Sequence, residues 1–268
     1  MSGPTFKDLE RQGWTEKAAA YDAWFARITE VGIGPMLDAL EPLKDRALLD
    51  VSTGTGHIAA EAARRGALAA GVDFAPTMVA AARANYPDLE FAVGDAEALD
   101  FPAGSFDRIA CGFGLLHFGD PDAAIAEAHR MLRGGGKYAF TVWCGPEQGG
   151  DLFRLVTEAI AAHGTMATDL PPAPPWFRFA DPIEVHRTLT EAGFINIDTR
   201  VLDLAWHPNS GAEVIEMIHK STVRTPMLID RQTPQAREQI HRSIVAGAAK
   251  LGLRIRMPAL LASASKPA

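Results

Sequence analysis

Cysteine is almost absent from this chain, and its scarcity excludes several classes of protein. Cys111 and Cys144 are the only two among 268 residues. Two cysteines cannot build a disulfide framework or a cysteine-rich metal centre, so we predict no metal site. We interpret both as buried thiols in a reducing compartment, which predicts a cytoplasmic protein.

The chain also lacks a basic stripe and a long apolar run. Lys and Arg number 26 against 33 Asp and Glu, for a formal net charge of −7. Affinity for nucleic acid depends on neutralising phosphates, so we expect no nucleic-acid partner. No segment approaches the roughly 18 apolar residues of a membrane span, and the polar N-terminus does not resemble a signal peptide. We therefore expect no membrane partner.

The most informative segment that is present is Leu48–Ala59, which reads LLDVSTGTGHIA. An apolar run ends at Asp50, a glycine turn follows, and a helix begins. This order of strand, turn and helix brings backbone N–H groups close to a ligand. Asp73 ends the next apolar run, 23 residues after Asp50, at the spacing of a carboxylate that binds ribose hydroxyls. The segment predicts an adenosine-type cofactor, but the pattern alone also fits a nicotinamide or flavin.

Alternating apolar and helical patterns predict the architecture of the N-terminal half. We predict strands at Ala47–Ser52, Leu68–Asp73, Leu89–Gly94, Phe106–Gly112 and Lys137–Trp143, with helices between them. Such alternation is typical of βαβ units and a parallel sheet. Further predicted helices cover residues 15–30, 121–133, 151–163, 181–192, 212–223 and 234–251. Two more predicted strands cover residues 194–204 and 254–265.

Four segments together carry a resemblance to a known family. They read LLDVSTGTG, GVDFAPTMVAAA, FAVGDAEALDFPAGSFDRI and MLRGGGKYAFTVW, and they lie within about residues 15–145. In order and rough spacing they are similar to the class I S-adenosylmethionine-dependent methyltransferases, in the UbiE-like branch that acts on small molecules. The resemblance implies S-adenosyl-L-methionine as cofactor and a small-molecule substrate.

The resemblance also implies a fold and a division of the chain. It implies an α/β, doubly wound, Rossmann-like sheet of seven strands, in which five parallel strands are joined by a C-terminal antiparallel hairpin of residues 195–204 and 254–265. We expect residues 1–268 to form a single methyltransferase domain, with N-terminal lid helices in residues 1–45. Residues 205–250 would form a helical cap that helps to shape the substrate pocket or serves as the surface of a homodimer.

Cofactor contacts are carried over from the family residue by residue. Asp50 and the Ser52–Gly56 backbone, including Thr53, Gly54 and Gly56, would hold the methionine moiety, and Asp73 the ribose. Phe74 and Met78 would line the adenine, Asp95 and Ala96 would bind its polar edge, and Phe113 would border the sulfonium. Plainer interpretations stay open: Asp50 as a loop cap, Asp73 and Asp95 as turn formers, and Met78 as core packing.

Ser52 is the place where this loop departs from the family pattern, because it replaces the first glycine of the G-x-G-x-G motif. Serine is small enough to keep the path of the loop if this position has a negative φ. If the position requires a positive φ, serine is strained and the loop differs locally.

Methyl transfer needs little chemistry from the protein beyond holding the acceptor close, aligned and dry. His117, in GLLHFGDP after the fourth strand, is the candidate general base, and the alternative is a histidine that fixes the loop. Aromatic side chains near a sulfonium attract it through cation–π contacts. A set of aromatic residues and one histidine is predicted to line the substrate pocket, with plain core packing as the alternative: Tyr21, Trp24, Trp143, Trp176 and His207.

Three functions remain open from the sequence. The first is methyl transfer from S-adenosylmethionine to a small-molecule acceptor by in-line displacement. The second keeps the cofactor but carries out other chemistry, or none. The third, an NAD(P)-dependent oxidoreductase, is remote because no hydride-transfer constellation is recognisable and because an acid directly before the glycines is unusual for it.

Overall fold

The computed structural model describes residues 3–268, and strands and helices alternate through the first half of this range. The strands are β1 (Ala47–Val51), β2 (Leu68–Asp73), β3 (Glu90–Val93), β4 (Phe106–Gly112), β5 (Leu132–Trp143), β6 (Ile195–Leu202), β7 (Ala205–Trp206), β8 (Ile255–Arg256) and β9 (Ala259–Ser265). The helices are α1 (Phe6–Trp24), α2 (Ala26–Thr29), α3 (Ile33–Ala39), α4 (His57–Arg64), α5 (Pro76–Asn85), α6 (Pro121–Met131), α7 (Asp151–His163), α8 (Pro182–Glu191), α9 (Gly211–Ser221), α10 (Arg224–Asp230) and α11 (Pro234–Lys250). Short 3₁₀ turns occur among them.

Seven of the strands form one sheet, in the order β3-β2-β1-β4-β5-β9-β6. Neighbours from β3 to β5 are parallel, whereas β9 lies antiparallel between β5 and β6. This confirms the predicted doubly wound, seven-stranded α/β fold. The strand order reverses between the paired strands β1 and β4, so the connections that follow them run in opposite directions and leave a crevice at the carboxyl ends of the two strands, which is where such sheets bind ligands.

The central strands are apolar because helices cover both faces of the sheet. Leu48 and Leu49 point to opposite faces of β1, and neither is exposed to solvent. Asp50 is also fully buried at the end of this strand, a position that requires hydrogen-bond partners. The switch from apolar to polar at Asp50 therefore marks the edge of the sheet where function is expected.

Several predicted helices and strands begin or end at the wrong residue. The helix predicted at 15–30 begins at Phe6, because Thr5 and Asp8 form a capping box that starts it earlier. The helix predicted to end at Arg133 ends at Met131, since β5 already begins at Leu132 and pairs with β4 through an irregular stretch. The single strand predicted at 254–265 is two strands, of which β8 pairs with β7 rather than joining the main sheet.

Helices α9, α10 and α11 lie between β7 and β8, within the segment predicted as a cap. Their apolar residues, among them Met217, Ile240 and Ile244, form one cluster with α7 residues such as Ile160. Helix α10 was missed, because it is short and contains Pro226. Among residues 3–268, no helix has the length and apolar character needed to cross a membrane.

Candidate functional site

Three adjoining chambers occupy the crevice at the carboxyl ends of β1, β2 and β4. Their volumes are about 60, 10 and 40 Å³, and we name them the central, adenine-side and loop-side chambers. Ser52 lines all three, so the chambers are parts of one cleft. All three chambers open to solvent, so a ligand can enter the cleft from outside.

The loop after β1 curves tightly through left-handed backbone. Ser52 has φ +56°, Gly54 +54° and Gly56 +95°. The open question about Ser52 is therefore answered: this position requires the conformation that favours glycine, and serine is strained there. Gly114 makes room for it, because a Cβ at Gly114 would lie 2.7 Å from the Cβ of Ser52.

Asp50 lies beneath this loop instead of facing the cleft. Its Oδ2 accepts hydrogen bonds from the Thr53 hydroxyl at 2.6 Å and the Ala59 N–H at 3.2 Å. Burial raises the pKa of Asp50 to about 7, although both hydrogen bonds oppose that rise. Asp50 lines none of the three chambers, so its position fits the alternative interpretation, a cap that holds the loop.

Asp73, at the end of β2, lines the central chamber. One carboxylate oxygen accepts from the Gly54 N–H and the other from the Ala75 N–H, both at 2.9 Å. Each oxygen has further lone pairs, so the carboxylate can accept additional hydrogen bonds from a ligand. Burial raises the pKa of Asp73 to about 6, while the two backbone hydrogen bonds lower it.

Asp95 and Ala96 line the adenine-side chamber together with Phe74. The sequence did not predict what lies opposite: Lys7 of α1 reaches Asp95 Oδ2 at 2.7 Å and Glu97 Oε2 at 2.6 Å. The nearest sequence signal was the capping box at Thr5, which starts α1 early enough to place Lys7 here. Helix α1 therefore forms one wall of the cleft.

The central chamber is walled by aromatic rings. Phe113 stacks on Trp143 with ring centroids 4.0 Å apart, and Phe25 meets Trp143 edge-on at 5.6 Å. Tyr21 and Met78 complete the wall. Burial raises the pKa of Tyr21 to about 12, so its hydroxyl stays protonated at neutral pH. These rings make the wall of the central chamber mostly apolar.

His117 lines both the central and the adenine-side chambers. Its Nδ1 lies 2.8 Å from Oε2 of Glu10, a buried carboxylate on α1, and Trp14 packs edge-on against its ring at 4.9 Å. A carboxylate at Nδ1 selects the tautomer whose Nε2 carries a lone pair. The pair is 107 positions apart in the chain, which is why the sequence did not indicate Glu10.

The loop-side chamber is lined by Thr53, Thr141 and His57, among others. The Thr141 hydroxyl is buried and has no hydrogen-bond partner among the described residues. His57 Nε2 lies 3.0 Å from Asp22 of α1, and this hydrogen bond is the main reason that the pKa of His57 is raised. Asp22 also accepts from Asn85, so α1 is held at both ends of the cleft.

Not every predicted site residue lies at the cleft. Gly56 is the N-cap residue of α4, and a Cβ at this position would lie 2.9 Å from the Phe91 ring. Trp24 lines none of the chambers. It packs against the apolar cluster that α7, α9 and α11 share, and the Lys220 ammonium lies over its ring. His207 is exposed after β7 and also lines none of them. Trp176 lines a separate cavity beside α7.

Metal ligands do not cluster in the part of the chain that the structure describes: no group of three or more His, Cys, Asp or Glu side chains could hold an ion there. Cys111 and Cys144 are both free and buried. The chemistry of the cleft is set by carboxylates, the two histidines His57 and His117, and aromatic rings.

Comparison with known proteins agrees with this geometry. Residues 49–140 match the family described as "Methyltransferase domain". A demethylmenaquinone methyltransferase of Chlorobaculum tepidum is 43% identical over 98 residues, 36% of this chain and 40% of its own length. The protein of the same name from Thermus thermophilus is 39% identical over 130 residues, 46% of this chain and 59% of its own length. The chain thus spans about half the length of these curated relatives.

Solved structures extend the likeness to the whole fold. The phosphoethanolamine N-methyltransferase 2 of Haemonchus contortus aligns with a TM-score of 0.62 and 19% identity, covering 99% of this chain and 61% of its own. The [4+2]-cyclase SpnF aligns with a TM-score of 0.61 and 18% identity, covering 100% and 98%. At these identities the likeness shows the fold alone.

Fold, cleft and family match agree with one another: residues 49–140 match a methyltransferase domain and lie within the seven-stranded sheet that carries the cleft. The named relatives are similar to this chain over part of its length, and they support the resemblance to the UbiE-like branch seen in the sequence.

Proposed function

We propose that the protein transfers a methyl group from S-adenosylmethionine to a small-molecule acceptor. The observation that carries the proposal is Asp73, a carboxylate with spare acceptor capacity in the wall of the cleft, next to a left-handed glycine loop. Ribose hydroxyls are donors that suit such a carboxylate. The matched methyltransferase domain and the named relatives support the same conclusion.

The residues present fit the cofactor. Asp95 and the Ala96 backbone would hold the adenine, and Asp73 the ribose. The unpartnered Thr141 hydroxyl would satisfy a polar group of the methionine end beside the Ser52–Gly54 backbone. When bound, the cofactor supplies an electrophilic methyl group on a sulfonium.

The aromatic wall serves the transfer itself. The rings of Tyr21, Phe113 and Trp143 attract a cation by roughly 0.5–2 kcal/mol each when desolvated. They also exclude water, which would otherwise separate the acceptor from the reacting carbon. In-line displacement needs little else when the acceptor is held in line and close.

His117 would act as the base when the acceptor must lose a proton. Glu10 accepts a hydrogen bond from Nδ1–H, so the lone pair of Nε2 is free to take the proton of the acceptor. Glu10 is then a positioning residue for His117 and does not itself contact the acceptor.

The division of the chain enters the proposal as well. Residues 1–268 act as one methyltransferase domain, in which residues 1–45 serve as a lid and residues 205–250 as a cap. Because α1 forms one wall of the cleft, an outward movement of this helix would widen the entrance for the cofactor. We place the protein in the cytoplasm, where its two free thiols would stay reduced, and we assign it no nucleic-acid or membrane partner.

Thermal unfolding with different cofactors tests cofactor binding. S-adenosylmethionine and S-adenosylhomocysteine at a hundredfold excess over Kd should stabilise the protein by about 2.7 kcal/mol, and NAD(P) should not. Asp73→Ala should abolish this stabilisation, whereas Asp88→Ala, at an exposed turn, should leave it intact. Stabilisation by NAD(P) alone, or an unchanged shift in Asp73→Ala, would refute the proposal.

Incubation with methyl-labelled S-adenosylmethionine and a metabolite extract then tests transfer. We expect label in a small molecule together with equimolar S-adenosylhomocysteine. Cofactor binding without any labelled product would instead indicate a binding protein or other chemistry on the same cofactor.

A further inference from the structure

A larger cavity lies outside the cleft, between α7, the proline-rich segment 166–177 and α10. Its volume is about 390 Å³, within the range of small-molecule sites. Its lining is mostly apolar and includes Val156, Ile160, Leu170 and Leu228. None of the cofactor contacts proposed above involves this cavity, so its purpose requires a separate explanation.

Three aromatic rings form one side of the cavity. Phe153 meets Phe177 at 5.0 Å and Trp176 at 5.7 Å between ring centroids, and Trp176 stacks on Phe177 at 6.0 Å. Flat apolar molecules pack well against such rings. The shape and composition of this wall therefore favour a flat apolar ligand.

Arg224, the first residue of α10, is the only charged residue in the lining. Its guanidinium lies over the Phe6 ring at 5.1 Å and the Trp176 ring at 5.9 Å. Among residues 3–268 it has no hydrogen bond and no carboxylate within 4.0 Å, unlike most arginines of this chain, which pair with Asp or Glu. A half-buried guanidinium with five unused donors favours an anion.

A second donor lies next to Arg224. The indole N–H of Trp176 is buried and has no partner among the described residues. Buried donors are nearly always satisfied in folded proteins, by protein, water or ligand. The unsatisfied indole N–H beside the half-buried Arg224 guanidinium marks this end of the cavity as the polar end of a ligand site.

Two aromatic rings lie between the cavity and the cleft. Phe153 lines the cavity, and its centroid lies 6.3 Å from that of Trp143, which lines the central chamber and stacks on Phe113. An acceptor bound in the cavity reaches the central chamber when Phe153 and Trp143 both turn aside.

We propose that this cavity binds the acceptor, and that the acceptor is a flat apolar molecule with one carboxylate-type anionic group bound by Arg224. A single cation balances a single negative charge, and the planar guanidinium matches a carboxylate in bidentate geometry. The assignment to the acceptor rests on the proposed methyl transfer, but the ligand chemistry of the cavity does not.

Calorimetric titration of the full chain with two matched probes tests the inference. The probes are 2-naphthoate and 2-naphthamide, which share the ring and differ in charge. We expect 2-naphthoate to bind roughly 10- to 100-fold more tightly, as a charge-assisted hydrogen-bonded pair provides. Equal affinity of the two probes for the wild-type protein would overturn the proposal without any variant.

Substitutions assign the effect to Arg224. Arg224→Gln should remove the preference for 2-naphthoate, and Arg224→Lys should retain part of it. Arg242→Gln, an exposed arginine on α11 paired with Glu238, should change nothing. A preference that persists in a folded Arg224→Gln variant would contradict the assignment.

Stabilisation by S-adenosylhomocysteine separates this inference from the proposed function. It should be unchanged in Arg224→Gln, because Arg224 lies outside the cleft. If 2-naphthoate fails to bind while S-adenosylhomocysteine binds, the inference is wrong and the proposed function stands. If 2-naphthoate binds through Arg224 while S-adenosylhomocysteine does not bind, the proposed function is wrong and the site is an anion site of another kind.

Discussion

Ser52 combines backbone strain with a central place in the cleft. A residue with a Cβ in left-handed backbone costs about 1–2 kcal/mol, whereas glycine adopts this conformation freely. Natural proteins retain such strain at sites that the surrounding structure fixes firmly. Here the surrounding groups are Gly114, which leaves space for the side chain, and the β1 loop itself.

Ser52→Gly should therefore stabilise the protein, by up to about 1 kcal/mol after the greater chain entropy of glycine is counted. Urea unfolding at neutral pH measures the change. Ser105→Gly is the matched control, since Ser105 itself has no positive φ and its hydroxyl donates a hydrogen bond to the Pro102 carbonyl; this substitution should destabilise the protein. Destabilisation by Ser52→Gly would mean that the hydroxyl contributes more than the strain costs.

Asp50 should make stability depend on pH. Its pKa of about 7 lies above the ordinary value of 3.8, so the folded protein binds a proton that the unfolded chain releases. The contribution of this group to the free energy of unfolding is full below pH 4 and is lost as pH rises to about 7, by at most roughly 1 kcal/mol per pH unit.

Asp50→Asn should remove that dependence, because the amide stays neutral and its oxygen can still accept from Thr53 and Ala59. The measurement is the difference in the free energy of unfolding between wild type and variant from pH 4 to 8. This difference should shift steadily in favour of the variant as pH rises. A difference that is flat with pH would show that Asp50 is ionised throughout.

Side chains local to one motif were predictable, and side chains brought together by folding were not. Asp73, Asp95 and Phe113 follow the ends of strands, so their common edge could be read from the sequence. Glu10 and Lys7 reach the site only because α1 crosses the cleft, over separations of 107 and 88 positions. No local pattern encodes such a contact.

Helix α1 is the element whose role the sequence described least well. Polar contacts at three points hold it over the cleft, through Lys7, Glu10 and Asp22. Partly exposed pairs such as Lys7 with Asp95 contribute about 1 kcal/mol or less each, so they can be broken without unfolding the domain. The helix is therefore suited to opening and closing.

Lys7→Met should loosen the N-terminal half of α1, because it leaves Asp95 and Glu97 facing each other without a cation. Amide hydrogen exchange in residues 6–24 should become several-fold faster, while exchange in β4 stays unchanged. Lys250→Met, at the exposed end of α11, should have no such effect. Equal exchange in α1 of wild type and Lys7→Met would indicate that other contacts hold the lid.

At the scale of the whole molecule, strand order was predictable and the helices beyond Trp143 were only partly so. The alternation of strands and helices, together with the family resemblance, predicted the seven-stranded sheet. The helices α9–α11 follow only a generic amphipathic pattern, and α10 is too short to give one. Their packing on α7 depends on side chains from four helices, which no single segment specifies.

Gly211→Ala tests whether the cap and the sheet unfold as one unit. A Cβ at Gly211 would lie 2.7 Å from the Val245 carbonyl oxygen, so α9 and α11 must separate slightly. We expect a loss of about 1–3 kcal/mol. In a single domain, far-UV circular dichroism and tryptophan fluorescence should report the same shifted transition.

Gly34→Ala, in α3, is the control, because its new Cβ would approach nothing closer than 3.7 Å and alanine favours the helix. It should be neutral or stabilising. Two separated transitions in Gly211→Ala would show that the cap is a domain of its own.

Phe153 stands between the large cavity and the aromatic wall of the cleft, and this position has a thermodynamic consequence. If a ligand on one side fixes the orientation of this ring, it changes the affinity on the other side. Linkage then requires reciprocity: whatever factor the acceptor applies to the affinity for the cofactor, the cofactor applies to the affinity for the acceptor. One phenyl ring would thus set the cooperativity between the two substrates of the reaction.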